Sequence, residues 1–181
     1  DNIFYDDNSL IDLNNAFTNK CHKILIKKDY SLKKPLIVYH TTNNTVKSKN
    51  INLRLEFQLE QNSSLRLIDL FNDNSEKNFI NIFYNFDLKK NAILKNYKID
   101  KIQNKNIKYF FNNIEQDDNS VSETFILSSG SSFLKNEINC NLKGQYSSAF
   151  VNGIFLLMSG QQHEIRSTIN HLVENTKSYQ L

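Results

Sequence analysis

The chain has 181 residues, of which 39% are hydrophobic and 12% aromatic, enough for one packed domain and too many for wholesale disorder. Its formal net charge of +3 is too small to mark a nucleic-acid or membrane-surface binder. The longest apolar run, Ile154 to Met158, falls far short of the roughly 18 residues that suggest a membrane span.

In chain order, the first predicted element is a helix over Leu10 to Phe17, capped by Ser9 with Asp12 three residues on. Asn52 to Leu59 alternates without a fault, with Leu53, Leu55, Phe57 and Leu59 on one face, as a half-buried strand does. Leu65 and Leu67 open a second strand, and Ile80, Ile82, Tyr84, Phe86 and Leu88 mark a third. Ile99 to Ile114 suits either a helix surface or exposed strands, with strands favoured. Val121 to Ser128 alternates again, and Leu134, Ile138, Cys140 and Leu142 share a face with Asn136 among them. Ala149 to Met158 is apolar on both faces, the pattern of a strand covered on both sides.

Strands recurring about every 10 to 15 residues fit a sandwich or a solenoid. Gly (4) and Pro (1) are scarce, and no Asn-Gly or Asp-Gly pair sits between two strand patterns as a tight hairpin requires. Asn gathers near strand ends, where amide side chains can bond from coil to coil, which favours the solenoid. The 28 Asn, and 19 Lys against 3 Arg, also reflect a bias toward A/T-rich codons, so the lysine content says little about partners.

Two histidines and a cysteine invite a metal reading. His163 and His171 are eight residues apart, about 26 Å of extended chain, whereas two ligands of one ion lie within about 4 Å. Unless the chain turns between them they cannot share an ion, and each is expected to be a structural, hydrogen-bonded histidine. Cys140 has the parity of a small buried hydrophobe. Cys21 and His22 are adjacent and would point to opposite faces of a strand. His40 ends a strand and is expected at the surface or in a structural role. Glu115 with Asp117 and Asp118, and Asp6 with Asp7, read as solvated loops. Asn43 and Asn62 open glycosylation sequons of the kind an Asn-rich chain produces by chance. No Ser-His-Asp order, phosphate loop, CxxC or HExxH is present, so no catalytic, cofactor or metal residue is assigned and no enzymatic activity is expected. Two cysteines make no disulfide framework, which favours a reduced, cytoplasmic setting.

The last 40 residues carry the most specific pattern: Asn139-Cys140-Asn141-Leu142-Lys143-Gly144, Val151-Asn152-Gly153-Ile154-Phe155-Leu156, Gln162-His163, Ile169-Asn170-His171 and Ser178-Tyr179-Gln180-Leu181. This resembles the core signature of the SufB/SufD family of iron–sulfur assembly proteins. Leu13-Asn14-Asn15-Ala16-Phe17, Ile24-Leu25-Ile26 and Pro35 to His40 are similar to N-terminal segments of the family's SufD branch. Glu174-Asn175-Thr176 departs from the family's P-H-C, placing Thr176 where a Cys often stands, and Gly144 is followed by Gln145 rather than the usual G-E-G continuation.

The resemblance implies an all-β, right-handed parallel β-helix with little helix: a lead-in over 1–30, a core over 31–181 and a continuous apolar cylinder of Leu, Ile and Phe inside. It implies that the chain covers part of a longer SufD-type domain. The function expected from it is a non-catalytic scaffold that pairs with a SufB-like protein and a SufC-like ATPase in building Fe–S clusters. The cluster would belong to the full complex and not to this chain, in the cytoplasm or a plastid stroma. A homodimer through an exposed end coil is also open, whereas nucleic acid and membrane are not expected partners. Two rivals are weaker. A carbohydrate-active β-helix needs converging carboxylates, which are scattered here, and a purely structural β-solenoid needs short regular repeats and a Thr-rich face.

Overall fold

The structure is a computed structural model that describes residues 8–42, 45–73, 75–101 and 104–181. Asp6, Asp7 and Asn43 lie outside the described residues. Among the described residues one helix, α1 (Ser9–Phe17), precedes twelve strands. Six form one sheet: β1 (Cys21–Ile26), β3 (Asn50–Leu59), β5 (Phe79–Leu88), β7 (Ile107–Gln116), β9 (Phe133–Leu142) and β11 (Gln162–His171). The other sheet holds β2 (Leu36–Thr42), β4 (Ser64–Asp73), β6 (Ile93–Asp100), β8 (Val121–Ser128), β10 (Ser148–Phe155) and β12 (Lys177–Gln180). Every pairing is parallel and joins strands two apart in sequence, so the chain winds between the sheets as a β-solenoid of about five turns.

Pairing fixes which residues stack. Phe57, Phe86, Ile114, Cys140 and Ile169 occupy one column of the first sheet, and Leu59, Leu88, Gln116, Leu142 and His171 the next. Burying such columns between two sheets is the main stabilising term, roughly 1.5–3 kcal/mol for each fully buried large apolar side chain. β1, within the predicted lead-in, pairs with β3 and so forms part of the solenoid.

One corner of each coil is turned by a residue with positive φ: Asp29, Asn62, Asn91, Asn119, Tyr146 and Asn175. Asn and Asp tolerate this conformation better than other side-chain-bearing residues, which gives part of the Asn excess a structural use. The Asn62 amide donates to Asp29 Oδ1 at 2.7 Å, and the Asn91 amide to Asn62 Oδ1 at 2.7 Å. At the same corner Gly144 must be glycine, because a Cβ there would overlap the backbone of Asp117 and Asp118.

The helix lies where its sequence pattern puts it, with Asn8 rather than Ser9 as its cap; the Asn8 carboxamide oxygen accepts from Leu10 N at 3.1 Å. It packs on the outer face of the first sheet, with Ile11 against Phe83, Tyr109 and Phe111. Buried Asn14 donates to the carbonyls of Asn81 (2.9 Å) and Leu53 (3.2 Å), and the Asn81 amide donates back to Leu10 O at 2.7 Å. The Leu13 to Phe17 segment thus latches the helix onto β3 and β5.

Three expectations need correction. β10 ends at Phe155, and Ile154 to Met158 are exposed, between 41% and 63%. The run is apolar on both faces, but the described residues leave it largely exposed, with the His163 ring edge-on to Phe155. Glu115 is not in a solvated loop: it sits in β7, held by Lys143 (2.6 Å), Asn141 (2.7 Å) and Asn113 (3.0 Å). Burial opposes its ionisation, but these three partners outweigh burial and draw its carboxyl below the ordinary range. The third correction concerns the interior.

Candidate functional site

The cylinder is apolar for much of its length and charged in the middle. Alternation points Leu94, Asn96, Lys98 and Asp100 of β6 inward, and Lys108, Phe110, Asn112, Ile114 and Gln116 of β7. Lys98, Asp100 and Lys108 are at most 2% exposed. Lys108 Nζ donates to Asp100 Oδ1 at 3.1 Å, and Asp100 Oδ2 accepts from Ser131 Oγ at 2.7 Å. Lys98 Nζ lies 3.8 Å from Asp69 Oδ2 and 3.4 Å from Asn112 Oδ1, with the Tyr84 and Phe110 rings at 4.9 and 4.6 Å. Burial pulls the Lys98 ammonium down to about 8, against the opposing attraction of Asp69.

Asp69 Oδ1 ties three strands together. It accepts the Tyr84 hydroxyl at 2.8 Å and faces His40 Nε2 at 3.0 Å; the same His40 nitrogen lies 2.9 Å from Tyr84 Oη. Burial first, then the Asp69 charge, pushes the Tyr84 hydroxyl well above its ordinary value. The His40 ring stacks on Phe71, centroids 4.3 Å apart and planes 7° from parallel. His40 is therefore the outer end of a buried polar chain, the structural of the two roles expected for it.

The predicted site residues do not converge. His163 and His171 stand at opposite ends of β11. The nitrogens of His163 meet Ser128 Oγ and the Ser131 carbonyl, both at 2.7 Å. Those of His171 meet Thr176 Oγ1 at 2.6 Å and Ser178 Oγ at 3.1 Å. Thr176, at the position where the family often has Cys, is thus a partner of His171. Cys140 lies within the core and burial pushes its thiol up to about 12, away from the thiolate that a metal or cluster would need. Cys21 and His22 are exposed on β1. Among the described residues no group of three His, Cys, Asp or Glu is placed to hold a metal ion.

Sequence reading missed the interior charges because it treated apolar parity as the signature of a strand. A usable signal was present: Asp69 and Lys98 are one coil apart and become register partners.

Parallel strands, a coil-by-coil polar corner and ion pairs sealed inside define a β-solenoid domain. Residues 40–181 match the family model for the SufBD core domain of SUF-system FeS cluster assembly, and the chain belongs to that family. Comparison with curated proteins gives no match. No described helix is long and apolar enough to cross a membrane.

Proposed function

We propose that the chain acts as a SufD-like scaffold subunit in iron–sulfur cluster assembly, pairing with a SufB-like protein and a SufC-like ATPase and performing no catalysis itself. The observation that carries this reading is the family match over 40–181 on a parallel β-solenoid. Within the family the SufD branch is favoured by Leu13-Asn14-Asn15-Ala16-Phe17, the segment that here latches α1 to the sheet. With Cys140 buried, His163 bonded to the preceding coil and His171 bonded to Thr176 and Ser178 in its own coil, the cluster is cargo held elsewhere in the assembly. The setting is the cytoplasm or a plastid stroma.

Co-expression with SufB-like and SufC-like proteins, followed by affinity capture on this chain, tests the proposal. A ternary complex whose cluster yield depends on this chain, and survives Cys140→Ser, is expected. Failure to capture either protein, or loss of cluster in Cys140→Ser with the complex intact, overturns it.

A further inference from the structure

The outer face of the second sheet is apolar over most of its length. Register stacks Ile37, Ile68, Tyr97 and Phe125 in one outward column. Beside it runs a second column of Tyr39, Leu70, Ile99, Leu127 and Ile154. Tyr39 is 62% exposed and Ile154 49%, and the members between them are half-buried. Charge enters in a third column, where Arg66, Lys95, Glu123 and Phe150 follow one another. Within it Lys95 Nζ lies 3.0 Å from Glu123 Oε2. A depression of about 290 Å³ is lined by Tyr97, Glu123, Phe125 and Phe150. The first sheet has a smaller apolar patch outside, at Phe83, Tyr109 and Phe111, and α1 packs on it. The one described helix is thus spent on the other sheet.

We infer that the outer face of the second sheet binds a second copy of this chain, face to face, about a two-fold axis running parallel to the strands between β6 and β8. The inference goes beyond the scaffold reading and needs none of its partners. Size supports it. Six strands about 4.8 Å apart, each apolar over about 20 Å, outline roughly 600 Å². Side-chain relief carries the accessible area toward the roughly 800 Å² per partner of a standard interface. A helix, about 10 Å wide, would cover only half of the face. Order supports it too, because an isologous contact needs a surface complementary to itself. Turning the face over about that axis keeps each column in place and reverses the strand order. Lys95 then meets the partner's Glu123, and Glu123 the partner's Lys95. Tyr97 meets the partner's Phe125, so the partner's Tyr97 falls over the depression. In the second column Ile99 meets the partner's Leu127 and Leu70 the partner's Ile154. Opposite charges therefore pair twice, and apolar side chains meet beside them.

Sedimentation velocity on the purified chain tests the inference. A reversible dimer with a Kd of about 10 µM is expected, the weak end for an interface of this size. Leu127→Asp sets a carboxylate against the partner's Ile99 and should leave monomer only; Ile99→Asp serves if circular dichroism shows the first variant misfolded. Lys95→Glu alone and Glu123→Lys alone each oppose like charges across the axis, and each should weaken the dimer about tenfold. Mixing those two variants pairs opposite charges between chains again and should restore the wild-type affinity. Pairing within one chain cannot give that result, because it stays broken in both variants. A wild-type chain that is monomeric at about 0.1 mM, a dimer that persists in folded Leu127→Asp as contact through an end coil would, or a mixture that associates no better than its components overturns the inference.

Discussion

Lys108 Nζ and Asp100 Oδ1 meet 3.1 Å apart inside the solenoid, with both side chains essentially out of reach of solvent. Asp100 has a second donor in Ser131, so the carboxylate is well satisfied. Removing one partner of such a pair strands a buried charge, at a cost of about 3–5 kcal/mol, whereas replacing both by apolar groups is often neutral. Lys108→Met is therefore expected to lose about that much stability in urea unfolding. Lys108→Met combined with Asp100→Leu and Ser131→Ala should recover most of it. A single variant as stable as wild type would mean that the pair is not sealed from water.

Lys98 gives the protein a pH signature. Its folded-state pKa is lowered to about 8 from 10.5, so the unfolded chain binds this proton more tightly between those values. Stability then rises as pH climbs from about 8 toward 10.5, and the penalty is fully present below 8. The groups facing Lys98 are Asp69, Asn112 and the Tyr84 and Phe110 rings, and none removes the sign of this effect. Unfolding midpoints measured from pH 7.5 to 9.5, a window set around that pKa, should increase in the wild type. In Lys98→Met the rise should flatten. A wild-type profile that is flat or falling would contradict a buried, strained ammonium.

Among the described residues, several interior polar atoms have no hydrogen-bond partner, including Thr124 Oγ1 and both side-chain polar atoms of Asn136. An unsatisfied buried polar group costs about 1–3 kcal/mol, and an apolar replacement of the same shape removes that cost. Thr124→Val and Asn136→Leu are each expected to stabilise the protein by about 1 kcal/mol in denaturant titration. Destabilisation by both would show that these atoms are satisfied in solution.

The two thiols should behave differently. Cys21 is exposed on the edge strand β1, while Cys140 is fully buried and its thiol pushed up to about 12. A thiol reagent should label one cysteine in the folded protein and two in denaturant, with mass spectrometry placing the native label on Cys21. Native labelling of Cys140 would require the β9 region to open.

The legibility of the sequence was uneven for a physical reason. β3 was plain because Leu53, Leu55, Phe57 and Leu59 all face inward and their neighbours face water. β6 was hidden because the usual code is inverted there. Its inward residues include Asn96, Lys98 and Asp100, whereas Ile93, Tyr97 and Ile99 point outward. The same inversion hid the charged interior, since parity arguments assume that burial means apolar. His40 was visible as a strand residue, but its role depends on Asp69 and Tyr84, 29 and 44 positions away, which only the coil register brings to it. The apolar run after Gly153 misled in the opposite direction: composition reports what can be buried, not whether a neighbour is there to bury it.

The turning residues Asn62, Asn91, Asn119, Tyr146 and Asn175 recur 27 to 29 positions apart, and each coil meets only the coils on either side. Such an architecture admits change in length only in whole increments. Deleting a single amino acid within a rung swaps inside for outside along the rest of that strand. Removing a complete rung shortens the cylinder by about 4.8 Å and leaves every remaining neighbour relationship intact. Diversity among domains of this kind should therefore be found in the number of rungs and in what fills them.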